Sequence, residues 1–277
     1  MLIAQISDIH ILGPGELFRG IAPVAERLQK CVHQINTMPL RPDLVIVSGD
    51  VTDDGSPASM AHAARILSGL EMPFHVIPGN HDNRQTMLDV FAPDHCRATP
   101  EGFINYVIDG YPLRLIALDS VIEGEVWGEL CPDRLNWLRA ELDRQPDTPT
   151  LIFVHHPPVR TGVMPQKYDR FGGADRLRDM LDRHRNIAGL ACGHIHRATH
   201  FAWGQTLVSS APSVGIQLGL DLREEQKTGF VSTGPALLLH HWRTEGPGKC
   251  LLVTHAIYPD GDGGTIGVGG TGREVET

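Results

Sequence analysis

Short, nearly continuous apolar runs recur along the first two-thirds of the chain. They are LIAQIS at 2–7, LVIVSG at 44–49, FHVIPG at 74–79, LRLIALD at 113–119, LIFVHH at 151–156 and IAGLACG at 187–193. Runs of this length without polar alternation predict strands covered on both faces. Between them the apolar period lengthens. In residues 23 to 38, Val24, Leu28, Cys31, Val32 and Ile35 share one face of a helix, after a proline suited to a first turn. Residues 57 to 70, 133 to 145 and 174 to 184 repeat the spacing and predict three further helices. Such alternation of strand and helix predicts a layered α/β domain. From about residue 205 the runs TLVSSAPS, GPALLLHHW and KCLLVTHAIY follow without long helices between them, so an antiparallel or mixed sheet is expected there. No repeat or linker divides residues 1–258, which read as one domain, and the polar, glycine-heavy residues 259–277 read as a flexible tail.

Most of the predicted strands of the first two-thirds end in the same kind of chemistry. The first leads into Asp8-Ile9-His10, the second into Gly49-Asp50 and the third into Gly79-Asn80-His81-Asp82. The run at 151 ends in His155-His156, and the run at 187 leads into Gly193-His194-Ile195-His196. In α/β sheets the carboxyl ends of strands form the ligand crevice. One such histidine would be read as structural, but this many imidazoles and carboxylates converging is costly unless something compensates them. Cations do so, and imidazole with carboxylate oxygen and no thiolate suits iron, manganese, zinc or cobalt better than calcium. Asp8, His10, Asp50, Asn80, His155, His194 and His196 are too many for one tetrahedral site, whereas two ions sharing a carboxylate use all of them. The spacings Asp8-x-His10 and His194-x-His196 are expected to arise from alternate residues of an extended strand facing one side.

Charge and cysteine content narrow the partners. A formal net charge of -9 supplies no basic field for a nucleic acid polymer or an anionic membrane. The cysteines Cys31, Cys96, Cys131, Cys192 and Cys250 are dispersed, odd in number and without a C-x-x-C pair, which predicts reduced thiols rather than disulfides or a thiolate zinc site. The opening MLIAQISDIH lacks the form of a signal peptide, and nowhere do 18 apolar residues run together. A cytoplasmic protein without membrane attachment is expected. His33, His62, His95 and His184 are expected at the surface, and His75, His240, His241 and His255 in structural roles.

Asp8-x-His10, Gly49-Asp50, Gly79-Asn80-His81-Asp82, His155 and Gly193-His194-x-His196 together resemble the signature of the calcineurin-like metallophosphoesterases. The blocks stand in order over residues 8 to 196. The wording VSGDVTDDG, VIPGNHD, VHHPP and CGHIH is similar to class III cyclic nucleotide phosphodiesterases and bacterial glycerophosphodiesterases. The resemblance implies a four-layer αββα sandwich: two mixed β-sheets flanked by helices, with a dimetal site at the strand ends. It implies one divalent ion on Asp8, His10 and His196, a second on Asn80, His155 and His194, and Asp50 bridging them. His156 would support His155 or face the pocket. His81 would point at the substrate as general acid, with Asp82 orienting it.

The chemistry implied is in-line attack on a phosphodiester by a hydroxide held between two cations. Phe18, Arg19 and Ile21, residues 160 to 172, the stretch after Pro212, and Arg197 are expected to wall the substrate site. Asp53 stands where the related glycerophosphodiesterases carry an asparagine that contacts substrate. A histidine those enzymes carry after the Pro-Ser turn is absent from Ser213-Val214-Gly215-Ile216-Gln217. Both departures put 3′,5′-cyclic nucleotides first as substrate and glycerophosphodiesters second, with a non-catalytic metal-binding scaffold as the reading from another class. Relatives of this kind are often dimers or larger, and the apolar strands of 205 to 258 with Trp242 are the region expected to carry a homo-oligomer contact.

Overall fold

The computed structural model describes residues 1–223, 229–231, 233–246 and 249–259. The chain opens with β1 (Leu2–Ile6), α1 (Val24–Thr37), β2 (Leu44–Ser48), α2 (Pro57–Leu67), β3 (Phe74–Ile77) and α3 (Arg84–Val90). It continues through β4 (Tyr106–Ile108), β5 (Arg114–Leu118), β6 (Gly128–Glu129), α4 (Pro132–Arg144), β7 (Thr150–Val154), β8 (Phe171–Gly172) and α5 (Ala174–Arg183). Last come β9 (Ile187–Cys192), β10 (Thr199–Trp203), β11 (Thr206–Ser210), β12 (Gln217–Leu218), β13 (Phe230–Val231), β14 (Leu237–Gly246) and β15 (Lys249–Ile257).

Two mixed sheets form the centre. The first has the order β15-β14-β1-β2-β3, with β1, β2 and β3 parallel and β14 antiparallel to β1. The second has the order β10-β11-β9-β7-β5-β4, parallel from β11 to β5 and antiparallel at both edges. Side-chain alternation shows how the layers stack. In the second sheet Leu115, Ala117, Leu151, Phe153 and Ala191 join the core of the first sheet and of α1 and α2. Their neighbours Ile116, Leu118, Ile152, Val154, Leu190 and Cys192 pack instead with Leu135, Leu138 and Leu142 of α4 and Leu177 and Leu181 of α5. The order is therefore helix, sheet, sheet, helix, as expected.

α1 buries the same five residues that its periodicity selects. α2 begins where Ser56 Oγ accepts from the Ser59 amide, with Pro57 in the first turn, a cap worth about 1 kcal/mol. The cysteines form no disulfide with one another, and Cys31, Cys96 and Cys192 are buried. His62, expected at the surface, is buried instead, and its Nδ1 donates to Leu12 O over 2.8 Å. Among the described residues no helix is long and apolar enough to cross a membrane. The tail expected over 259–277 lies, from residue 260 on, outside the described residues.

Candidate metal centre

Among the described residues, the non-glycine ones with positive φ are Asp8, His10, Arg19, Asp50, His194 and His196, between 48° and 71°. Five of these six are residues whose chemistry points to metal. A left-handed backbone costs a side-chain-bearing residue on the order of 1–3 kcal/mol, and such strain concentrates at functional sites. This corrects the expectation that Asp8/His10 and His194/His196 face one side as alternate strand residues. β1 ends at Ile6 and β9 at Cys192, so both pairs lie beyond the strands, in tight left-handed turns. The turns brace one another: Asp8 N donates to Gly49 O, His10 N to Asp50 O, and His194 N to the Asp8 carboxylate at 3.0 Å.

The first cluster is Asp8, His10, Asp50 and His196, all buried. His10 Nδ1 is held by Asp53 Oδ1 at 3.0 Å, and His196 Nδ1 donates to Ile216 O at 2.6 Å. With both Nδ1 atoms so committed, the two Nε2 atoms face each other 3.1 Å apart. Two imidazole lone pairs at that separation repel unless a cation or a proton lies between them. Asp50 Oδ2 stands 3.6 Å from His10 Nε2, and Asp8 Oδ1 stands 3.6 Å from His196 Nε2.

The second cluster adjoins it. His155 Nδ1 donates to Ser48 O at 2.8 Å, which turns Nε2 inward, 3.4 Å from Asp50 Oδ2. One oxygen of Asp50 thus faces a histidine of each cluster. Asn80 Oδ1, His155 Nε2 and His194 Nε2 are buried without a hydrogen-bond partner. Buried polar atoms are rarely left so, and three converging orphans of donor type fit a cation. Electrostatics agree. Burial opposes charge on His155, but the Asp50 and Asp8 carboxylates hold its pKa up at about 9. Burial, and then the charge on His155, pushes His194 well down and keeps it neutral. Burial would raise Asp50, yet the charges of His155 and His81 hold it well below the usual carboxylate range.

Two glycines make the approach of these side chains feasible. A Cβ at Gly49, whose φ is 95°, would overlap the His155 ring, and one at Gly79 would overlap the Asp50 carboxylate. Gly79 thus makes room for a neighbouring side chain.

The other sequence candidates are dispersed in an informative way. His81 donates its backbone amide to Asp50 Oδ1, and its Nδ1 lies 2.8 Å from Asp53 O, so Nε2 is free on the cavity side. The expected contact of Asp82 with His81 is absent. The Asp82 carboxylate accepts from the amides of Val51, Thr52 and Gly79 instead, which clamps the second and third turns together. Asp53 supplies the partner that Asp82 does not, since its carboxylate sits on His10 and 3.4 Å from His81 Nδ1. Phe18 lines the cavity above the clusters, while Ile21 is exposed. Arg197 donates to Leu218 O and borders a separate cavity with Pro212, Gln217 and Tyr258. His156 is buried beside His155 and His194 and does not line the cavity above the clusters.

That cavity has a volume of about 410 Å³. His10, Asp50, Asn80, His81, His194 and His196 form its floor, with Phe18, Arg19 and Phe230 on one wall and Val126, Met164 and Tyr168 among the rest. Arg19 holds its guanidinium 5.5 Å from the Phe18 ring and 5.0 Å from that of Phe230. Phe230 carries no motif around it, and nothing local in the sequence links it to the site.

Comparison with known proteins bears on this geometry. The profile of the calcineurin-like phosphoesterases matches residues 1–198. A probable glycerophosphodiester phosphodiesterase of Arcobacter nitrofigilis is 37% identical over 259 residues, covering 93% of each chain. A probable cyclic nucleotide phosphodiesterase of Synechococcus is 33% identical, over 78% of this chain and 81% of that one. Among solved structures, a dimetal phosphatase from Danio rerio superposes with a TM-score of 0.61 over 92% of this chain and 98% of its own, at 15% identity, a likeness of fold.

Proposed function

The chain belongs to the calcineurin-like phosphoesterase family, and from that premise we propose that it hydrolyses small phosphodiesters at a centre of two divalent cations, with 3′,5′-cyclic nucleotides preferred. The carrying observation is the single Asp50 oxygen facing His10 of one donor cluster and His155 of the other, with partnerless donor atoms around it. Asp8, His10 and His196 would hold one ion, and Asn80, His155 and His194 the other, with Asp50 shared. When bound, the ions supply Lewis acidity, neutralising phosphate oxygens and making water nucleophilic near neutral pH.

The remaining work falls to the chain. Asp53 fixes the His10 ring, so His10 Nε2 stays directed at the first site. His81, held through Nδ1 by the Asp53 carbonyl, offers Nε2 to the leaving oxygen. As water oxygen bonds to phosphorus and gives up its proton to solvent, the P–O3′ bond of a cyclic nucleotide would break, with O3′ leaving with a proton from His81 Nε2. The apolar walls formed by Phe18, Phe230, Met164 and Tyr168 suit a nucleobase better than a bare glycerol. Glycerophosphodiesters are the second reading, favoured by the 37% identical relative bearing that name.

The test is a ³¹P NMR time course with Mn²⁺-loaded protein offered 3′,5′-cAMP, glycerophosphoethanolamine and a phosphomonoester at equal concentration. Loss of the cAMP signal ahead of the others is the expected result. Glycerophosphoethanolamine disappearing first selects the second reading, and an inert panel rejects both.

A further inference from the structure

His156 is a buried imidazole that the chemistry above leaves unused. It is 1% exposed, too deep to touch a substrate. Its Nδ1 lies 2.8 Å from Ser120 Oγ. With Nδ1 committed to that hydroxyl, Nε2 is the nitrogen left to present a lone pair. That Nε2 is buried without a hydrogen-bond partner, a state it shares with Asn80 Oδ1, His155 Nε2 and His194 Nε2.

Position agrees with chemistry. The His156 ring lies 4.7 Å from that of His155 and 4.5 Å from that of His194, centroid to centroid. Each of the three offers a donor nitrogen within 4.8 Å of the other two. Nitrogens bound to one ion at about 2.0–2.1 Å lie within roughly 4 Å of each other, so an ion needs only to draw this group slightly closer. Gly128 is part of the arrangement, because a Cβ there would overlap the His156 ring. The ring's place thus depends on a missing side chain across from it.

We propose that His156 is a further protein ligand of the second cation, its Nε2 coordinating beside Asn80, His155, His194 and the shared Asp50. The two sites then differ in kind. The first offers His10 and His196 with two carboxylates, and the second offers three imidazoles with one carboxylate and an amide oxygen. A nitrogen-rich set favours zinc, cobalt or iron over manganese or magnesium, so the second site should keep a late transition metal when the first holds manganese.

The inference rests on the two-cation reading, and the experiment separates the two. Chelator-stripped full-length wild type, His156→Leu and Ser120→Ala are titrated with Zn²⁺ by calorimetry, and ¹⁵N-histidine NMR is recorded on zinc-loaded wild type. Wild type is expected to bind two ions, with the His156 Nε2 resonance in the metal-bound range. His156→Leu should keep the first ion at unchanged affinity and bind the second at least about tenfold more weakly, and Ser120→Ala, which removes the partner of the ring's Nδ1, should weaken the second ion as well. Two ions bound with the His156 Nε2 resonance in the free-imidazole range would overturn the ligand assignment and leave the dimetal centre standing. That spectrum needs no variant, so it decides even if His156→Leu fails to fold. Wild type binding no zinc would overturn both.

Discussion

At the scale of single residues, His10, His155 and His196 each have one nitrogen committed to the protein and one left for chemistry. Asp53 Oδ1, Ser48 O and Ile216 O take their Nδ1 atoms, and that fixes which nitrogen each ring presents. Removing the Asp53 acceptor in Asp53→Ala should therefore weaken the first ion about 10–100-fold, read by competition against a chromogenic chelator. His81 is different, since its Nε2 faces the cavity and, in the function proposed above, would serve the substrate. His81→Ala should lower kcat about 10²–10⁴-fold while metal analysis still finds both ions, and a loss of metal would mean that His81 is a ligand. His240 makes a prediction away from the centre. It is buried between Thr254 Oγ1 and Gln5 Oε1, and burial, then the nearby His200, lowers its pKa from 6.5 to about 3. The unfolded chain therefore takes up this proton first as pH falls. The contribution is complete above pH 6.5 and is lost between pH 6.5 and about 3, at about 1.4 kcal/mol per pH unit. Urea unfolding of the chelator-treated protein from pH 7 to 5 should show that slope, reduced in His240→Gln. An identical slope in the variant would show that His240 is not its source.

At the scale of elements, the apolar runs and helical faces were legible because burial on both sides of a strand, or on one side of a helix, leaves a period in the sequence. α3 (Arg84–Val90) was not, because seven residues are too few to show one. The two-residue strands β6, β8, β12 and β13 escaped for the same reason. The candidate ligands could be read because each follows an apolar run, but the left-handed turns that aim them leave no periodic trace. Neither does the division of work between Asp53 and Asp82, which depends on which turn crosses which. Asp119, at the end of β5, carries a ligand-type side chain yet is neutralised by Arg84, whose Nε is 2.6 Å from Oδ2. The crossing of turns makes Gly49 sensitive. Gly49→Ala would combine a φ of 95° with overlap of the His155 ring, and should cost on the order of 3 kcal/mol or more. Urea midpoints of the metal-free protein measure this. A midpoint equal to wild type would mean the turn relaxes freely.

At the scale of the molecule, the centre joins the two sheets. Asp8, His10, Asp50 and Asn80 follow strands of the first sheet, whereas His155, His194 and His196 follow strands of the second. Ions held by both sets, as proposed above, would tie the layers, and because they would bind only the folded form they would add about 2.7 kcal/mol per site at a hundred times Kd. For a chain of this size EDTA should lower Tm by roughly 5–10 °C per ion lost, which differential scanning fluorimetry reads directly. The sheet order has a further consequence. β1 (Leu2–Ile6) lies between β2 and β14 (Leu237–Gly246), so one border of the first strand is closed by one of the last. A chain emerging from the ribosome must carry that apolar strand half-paired until β14 has been translated. Through that interval the nascent protein offers a bare strand edge to neighbouring polysomes, making it a natural client for chaperones that shield growing chains.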